Sequence, residues 1–295
     1  MKEYQAELLY DAKCVLGEDP IYDDVREGLY WLDITKNRIY FLDFNTGQCM
    51  YNQLDRQIGS IVQTDRGKFL AGMDNGVYLI DGLQYAPYCL MPESEPSYAR
   101  FNDGKCDPAG RFVVGTQAEP NEKGLGHLFS VSANESYHVI SDGIGCSNGL
   151  AWTQDGRTMY HVDTLGKTPS RIYAFDYDLV TGQATNRREI IDYTPLAQKG
   201  ILADGMDIDC NGNIWIAEWG GYGIGCWNPH TGEKIGHVSV PVEKVSSCVF
   251  GGKDYRTLYI TTAAGKGNYA GALFMAQLDV SGFPAVKYYE NTAHQ

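Results

Sequence analysis

Four segments of the chain place carboxylates, amides or an arginine beside a glycine or proline, just where an apolar run begins. They are Leu16-Gly17-Glu18-Asp19-Pro20-Ile21-Tyr22, Arg100-Phe101-Asn102-Asp103-Gly104-Lys105-Cys106-Asp107, Cys146-Ser147-Asn148-Gly149-Leu150-Ala151-Trp152 and Ala203-Asp204-Gly205-Met206-Asp207-Ile208-Asp209. Carboxylate and amide oxygens, with no matching set of His or Cys, suit a hard or borderline divalent cation such as Ca2+, Mg2+ or Mn2+. Two carboxylates plus one amide oxygen would leave coordination positions for water and substrate. Each segment alone has a plainer reading, since Glu18-Asp19-Pro20, Asn148-Gly149 and Asp204-Gly205 are ordinary turn sequences. Their shared place before a strand is what argues for a common site.

Other chemistry has less support. The histidines His127, His138, His161, His230, His237 and His294 are scattered. His161, in Tyr160-His161-Val162-Asp163-Thr164, reads as a hydrogen-bonded structural residue on an inner strand. No Gly-x-Ser-x-Gly elbow is present, which argues against a serine esterase. Trp219-Gly220-Gly221-Tyr222-Gly223 reads as a loop.

The elements that must position these residues are announced by a repeat. A turn containing Asp and Gly, followed by a short apolar run, recurs as Arg26-Glu27-Gly28-Leu29-Tyr30-Trp31-Leu32-Asp33, Thr64-Asp65-Arg66-Gly67-Lys68-Phe69-Leu70-Ala71-Gly72 and Asp107-Pro108-Ala109-Gly110-Arg111-Phe112-Val113-Val114-Gly115. It returns in Gln154-Asp155-Gly156-Arg157-Thr158-Met159-Tyr160, Asp209-Cys210-Asn211-Gly212-Asn213-Ile214-Trp215 and, without the glycine, Lys253-Asp254-Tyr255-Arg256-Thr257-Leu258-Tyr259. Each copy reads as a hairpin turn followed by a buried strand. A second run, such as Arg38-Ile39-Tyr40-Phe41-Leu42-Asp43 or Arg171-Ile172-Tyr173-Ala174-Phe175-Asp176, follows most copies. Six copies roughly 39 to 56 residues apart, each worth about four strands, predict an all-β fold, a six-bladed β-propeller forming a single domain over residues 1–295. In such a fold the polar residues ahead of each repeat converge at one end of the innermost strands.

Composition agrees and excludes several classes. Of 295 residues, 43% are hydrophobic and 21% charged, which rules out wholesale disorder. The mean hydropathy of −0.32 and the lack of a long apolar run remove a transmembrane helix. A net charge of −13 would repel a phosphate backbone, so no nucleic-acid partner is expected, and neither a membrane nor an obligate protein partner is evident. The eight cysteines form no C-x-x-C pair and read as buried, reduced thiols. With no secretory signal at the start, they place the chain in the cytoplasm.

Taken in order from near residue 14 to near 280, these segments resemble the senescence-marker-protein/gluconolactonase (regucalcin-like) family of sugar-lactone hydrolases. The resemblance rests on the four segments above, with Asp107-Pro108-Ala109-Gly110-Arg111, Arg171-Ile172-Tyr173-Ala174-Phe175-Asp176-Tyr177-Asp178 and Gly212-Asn213-Ile214-Trp215-Ile216-Ala217. It implies a six-bladed propeller and metal-dependent hydrolysis of aldonolactones such as gluconolactone. It implies that Glu18, Asn148 and Asp204 hold one divalent ion, with Ca2+ first and Zn2+, Mn2+, Mg2+ or Fe2+ behind it. Asp204 would also serve as the catalytic acid/base, and Arg100, Asn102 and Asp103 would bind the sugar lactone. The chain departs from the family at Ala118-Glu119-Pro120, where some relatives carry a second carboxylate, and at Asp19-Pro20, where Gly-Pro or Gly-Ala is usual. Two other readings stand beside this one. They are a non-enzymatic calcium-binding propeller and an organophosphate or aryl-ester hydrolase on the same scaffold.

Overall fold

The computed structural model describes residues 1–91, 100–117, 124–165 and 170–290. The repeated phrase is built by its acid. Asp107 Oδ1 accepts the backbone N–H of Ala109 and Arg111, and Asp209 Oδ1 accepts those of Asn211 and Asn213. Asp23 does the same for Val25 and Arg26, and Thr64 Oγ1 substitutes in the second copy. The turn closes through a left-handed residue, supplied by Gly67, Gly110, Gly156 and Gly212. In the first and last copies Glu27 and Tyr255 occupy that conformation instead, at φ 50° and 53°.

The strands these turns join make six sheets, the blades of a six-bladed β-propeller. Blade 1 comprises Gly17–Asp23, Gly28–Asp33, Arg38–Asp43 and Cys49–Gln53. Blade 2 comprises Ile58–Gln63, Phe69–Met73, Gly76–Asp81 and Gln84–Leu90. Blade 3 comprises Arg100–Cys106, Phe112–Gln117, Gly126–Val131 and Tyr137–Ile144, and blade 4 comprises Ser147–Trp152, Thr158–Asp163, Arg171–Asp178 and Gln183–Ile191. Blade 5 is Leu202–Ile208, Ile214–Trp219, Gly223–Asn228 and Glu233–Ser239, with Lys2–Gln5 added parallel to its last strand. Blade 6 takes Val245–Gly251, Thr257–Thr262 and Leu273–Gln277, and borrows Glu7–Tyr10 as its outer strand. Each repeated phrase therefore ends in the second strand of a blade. Those strands read as unbroken apolar runs because both faces of a blade are covered, as in Gly28–Asp33, where every residue is buried.

The contacts divide the chain into two compact units. One holds residues 1–57 and 190–285, with blades 5, 6 and 1; the other holds 58–189 and 286–295, with blades 2, 3 and 4. In the first, aromatic side chains tie the blades together: Trp215 of blade 5 meets Phe250 of blade 6 edge to face, and Tyr22 of blade 1 stacks on Tyr259 of blade 6 at 5.7 Å. In the second, Phe101, Phe112, Phe129 and Tyr288 form one cluster, and Trp152, Phe175 and Tyr177 belong to another. Within each unit the first strands of successive blades pack on one another, which makes them the innermost.

The one α-helix among the described residues is a single turn, Thr194–Ala197, and no helix is long and apolar enough to cross a membrane. None of the eight cysteines is in a disulfide, as expected. Five are buried, but Cys49 and Cys89 are half-buried and Cys210 is exposed in its turn. The tight Asp209 turn leaves that side chain facing solvent.

Candidate active site

Every innermost strand carries an irregularity near its start. The pairing register shifts between Glu18 and Ile21 in blade 1, Ile58 and Ser60 in blade 2, and Phe101 and Gly104 in blade 3. It shifts again between Asn148 and Leu150, Ala203 and Met206, and Val245 and Ser247 in blades 4 to 6. A bulge of this kind leaves residues out of the ladder and re-aims their side chains. Glu18, Asn102, Asp103, Asn148 and Asp204 all sit at or beside such a bulge, and Arg100 two residues before one. The Asp-Pro, Asn-Asp-Gly, Asn-Gly and Asp-Gly sequences favour it in four blades, since these residues disfavour a continuous ladder, but Ile58-Gly59-Ser60 and Val245-Ser246-Ser247 bulge without them. Asp19 indeed takes φ 50°.

In the unit of blades 2 to 4, three of the expected residues come together. Arg100 Nη1 donates to Asn102 Oδ1 at 2.7 Å, and Nη2 donates to Gln117 Oε1 on the neighbouring strand at 2.6 Å. Asn102 Nδ2 donates to Asn148 Oδ1 and to the Ser147 carbonyl, each at 2.8 Å. Asn148 Nδ2 donates to Thr164 Oγ1, also at 2.8 Å. Asn102, Asn148 and Thr164 are buried. Ser147 Oγ is 2.9 Å from His161 Nε2, and Gly115 makes room for that hydroxyl: a Cβ there would fall 2.0 Å from it. Burial drives the His161 pKa down to about 3, with the Arg187 charge assisting, so the ring stays neutral. This is the structural role expected of it. Asp103, half-buried on the same strand, joins none of these bonds. Burial lifts its carboxyl to about 6, and Lys105 and the Gly104 N–H pull it only part of the way back.

In the unit of blades 5, 6 and 1, Asp204 is buried and Glu18 half-buried, and Glu18 Oε2 accepts the Asp19 N–H at 3.3 Å. The innermost strand of blade 6 packs against both strands that carry them. Its Ser246 hydroxyl donates to the Gly17 carbonyl at 2.5 Å, and its Ser247 lies where a Cβ on Gly205 would be, 2.1 Å from the hydroxyl. Tyr193 is fully buried, and its hydroxyl is held well above its ordinary pKa by burial, then by the charges of Glu218 and Asp204.

Residues that sequence reasoning passed over stand behind these. Asp33, at the end of a blade 1 strand, accepts the N–H groups of Val15 and Leu16 just ahead of Glu18. Asp163, its counterpart in blade 4, accepts those of Gly145 and Cys146 just ahead of Asn148. The repeated phrase showed an acid at its end; the acid's partners lie 17 or 18 residues away and have no local signature. Glu119 lies outside the described residues. Among the described residues, no three His, Cys, Asp or Glu side chains gather into a metal-binding cluster; a donor set of Glu18, Asn148 and Asp204 would contain only two of those types.

Comparison with known proteins gives the class. Residues 16–264 match the model of the SMP-30/gluconolactonase/LRE-like region, and the chain belongs to that family. It is 32% identical to human regucalcin over 269 residues, covering 89% of this chain and 88% of that protein. It is 31% identical to the putative sugar lactone lactonase YvrE of Bacillus subtilis over 290 residues, covering 94% and 96%. A crystal structure described as that of a calcium-binding protein, regucalcin, from Agrobacterium tumefaciens, superposes with a TM-score of 0.88 at 24% identity, covering 97% of this chain and 98% of that one.

Proposed function

We propose that the protein hydrolyses sugar lactones, with aldonolactones such as gluconolactone as substrates and the aldonic acid as product, and that it does so with one divalent metal ion. Family membership supports lactone hydrolysis, and the observation that carries the site is the hydrogen-bonded set Arg100, Asn102 and Asn148 at the bulged strand starts. The donors proposed for the metal are Glu18, Asn148 and Asp204. Asn148 fits such an ion: its amide nitrogen donates to Thr164, and its oxygen, which accepts one bond from Asn102, keeps a second lone pair to offer. Ca2+ is the first candidate, in keeping with hard oxygen donors and with the calcium-binding relative.

When bound, the ion supplies Lewis acidity toward the lactone carbonyl and lowers the pKa of a bound water. In this reading Asp204 takes the proton of the attacking water as the new C–O bond forms. It returns that proton to the ring oxygen as the ester bond breaks, leaving a free hydroxyl and a carboxylic acid. Arg100 and Asp103 meet the sugar hydroxyls, Arg100 as a donor and Asp103 as an acceptor, or as a donor when protonated. Eight cysteines outside any disulfide support a reducing, cytoplasmic setting.

Metal-stripped protein, given a panel of lactones with each divalent ion in turn, tests the proposal through proton release. The expected result is turnover of aldonolactones only when an ion is restored. Calcium binding without turnover of any lactone would favour the non-enzymatic reading, and turnover of aryl esters or organophosphates alone would favour the other hydrolase.

A further inference from the structure

The hydrogen bonds around Asn148 have a forced direction. A guanidinium has only donors, so the Asn102 atom facing Arg100 at 2.7 Å must be its oxygen. That turns the Asn102 nitrogen toward two acceptors, the Ser147 carbonyl and Asn148, each at 2.8 Å. Both of its N–H bonds are then used. The Asn148 atom it meets must in turn be oxygen, so the Asn148 nitrogen points to Thr164 Oγ1 at 2.8 Å, and the hydroxyl accepts. Cys146 Sγ, 3.6 and 3.8 Å from the two amide nitrogens, is a weak acceptor that does not change the direction. The donor order starts at Arg100, which also donates to Gln117, and runs through Asn102 and Asn148 to Thr164.

We infer that Thr164 and Asn102 are positioning residues for Asn148, closing a directional relay that fixes which face of its amide the oxygen occupies. The inference rests on Asn148 being a metal donor. Asn102 would on this view hold the metal donor, and, with both N–H bonds used, would meet a sugar hydroxyl only as an acceptor through its oxygen. Thr164→Val removes the acceptor at nearly constant shape and leaves a buried amide N–H unsatisfied unless the amide turns over. Outer partners of metal ligands commonly matter by about 10–100-fold in affinity.

The test is calorimetric titration of Ca2+, Mn2+ and Zn2+, each alone and without lactone, into metal-stripped wild type, Thr164→Val, Thr164→Ser and Asn102→Leu. Circular dichroism and melting temperature would confirm that each protein is folded. Thr164→Val and Asn102→Leu should each bind the ion at least tenfold more weakly, and Thr164→Ser, which keeps the hydroxyl, should stay near wild type. Wild-type affinity in both Thr164→Val and Asn102→Leu overturns the relay while leaving the metal reading intact. A loss in Thr164→Val that Thr164→Ser fails to recover also overturns it, since that would mark a packing effect. Should Thr164→Val fail to fold, Asn102→Leu carries the decision alone, because a residue that only binds sugar would leave metal affinity untouched. Absence of any ion binding by wild type overturns the metal reading and the relay with it.

Discussion

Asp204 and Asp103 are both carboxylates on bulged innermost strands, yet they face different physics. Asp204 is the proposed proton carrier, so Asp204→Asn, which keeps the shape and one oxygen, should lower kcat by roughly a hundredfold or more. Near-normal turnover with metal bound would show that the base lies elsewhere. Asp103, raised from about 3.8 to about 6 by burial, binds its proton more tightly in the folded chain than in the unfolded one. Its contribution to stability is therefore present below pH 4 and is lost as pH rises through 6. Asp103→Asn removes that loss and should be more stable than wild type by about 1–3 kcal/mol at pH 7.5, with the gain shrinking toward pH 4.5. Urea midpoints across this range would show it; a gain that is constant with pH would contradict the assignment. At this scale the sequence named candidate residues, of which the structure joins Arg100, Asn102 and Asn148 by hydrogen bonds. It could not expose that Asn102 spends both N–H bonds on Ser147 and Asn148, because those partners are 45 and 46 residues away.

At the scale of the element, the turn is the legible unit. The turn glycine located the left-handed residue in four of the six repeats, directly after Asp155 and Asn211 in two of them, since glycine takes that conformation without steric cost. In the first repeat the glycine misleads: Gly28 packs against the Phe41 ring, and Glu27 is the residue at φ 50°. Glu27→Gly should therefore raise stability by about 1 kcal/mol, the order of the penalty for a side chain in this region. Its ion pair to Lys253, at 3.9 Å, is exposed and of little value. A lower urea midpoint would refute the argument. The bulges were not legible, because a bulge is a property of two paired strands and the chain prints only one of them at a time. The start of the chain was silent for the same reason. Lys2–Gln5 and Glu7–Tyr10 pair with strands more than 200 residues later, a choice made by long-range burial rather than by local pattern.

For the molecule as a whole, the six repeats were enough to predict the propeller, since a periodic pattern survives local errors in any one copy. Net charge is the whole-molecule property that bears on the proposed reaction. The lactone is neutral and the aldonate product is an anion, while the protein carries a formal charge of −13. Such a field does little to the substrate and opposes the product's return. The opposition reaches about 30 Å at 0.01 M salt and only about 8 Å at 0.15 M, so salt should weaken it. Product inhibition by the aldonate should consequently become stronger, by severalfold in Ki, as salt rises from 10 to 200 mM, with KM for the neutral lactone nearly constant. Initial rates of proton release with added aldonate, at fixed divalent ion and several sodium chloride concentrations, measure both quantities. If Ki held steady, or if salt relieved the inhibition, the local attraction of the proposed cation would outweigh the field of the chain, and net charge would have no part in product release.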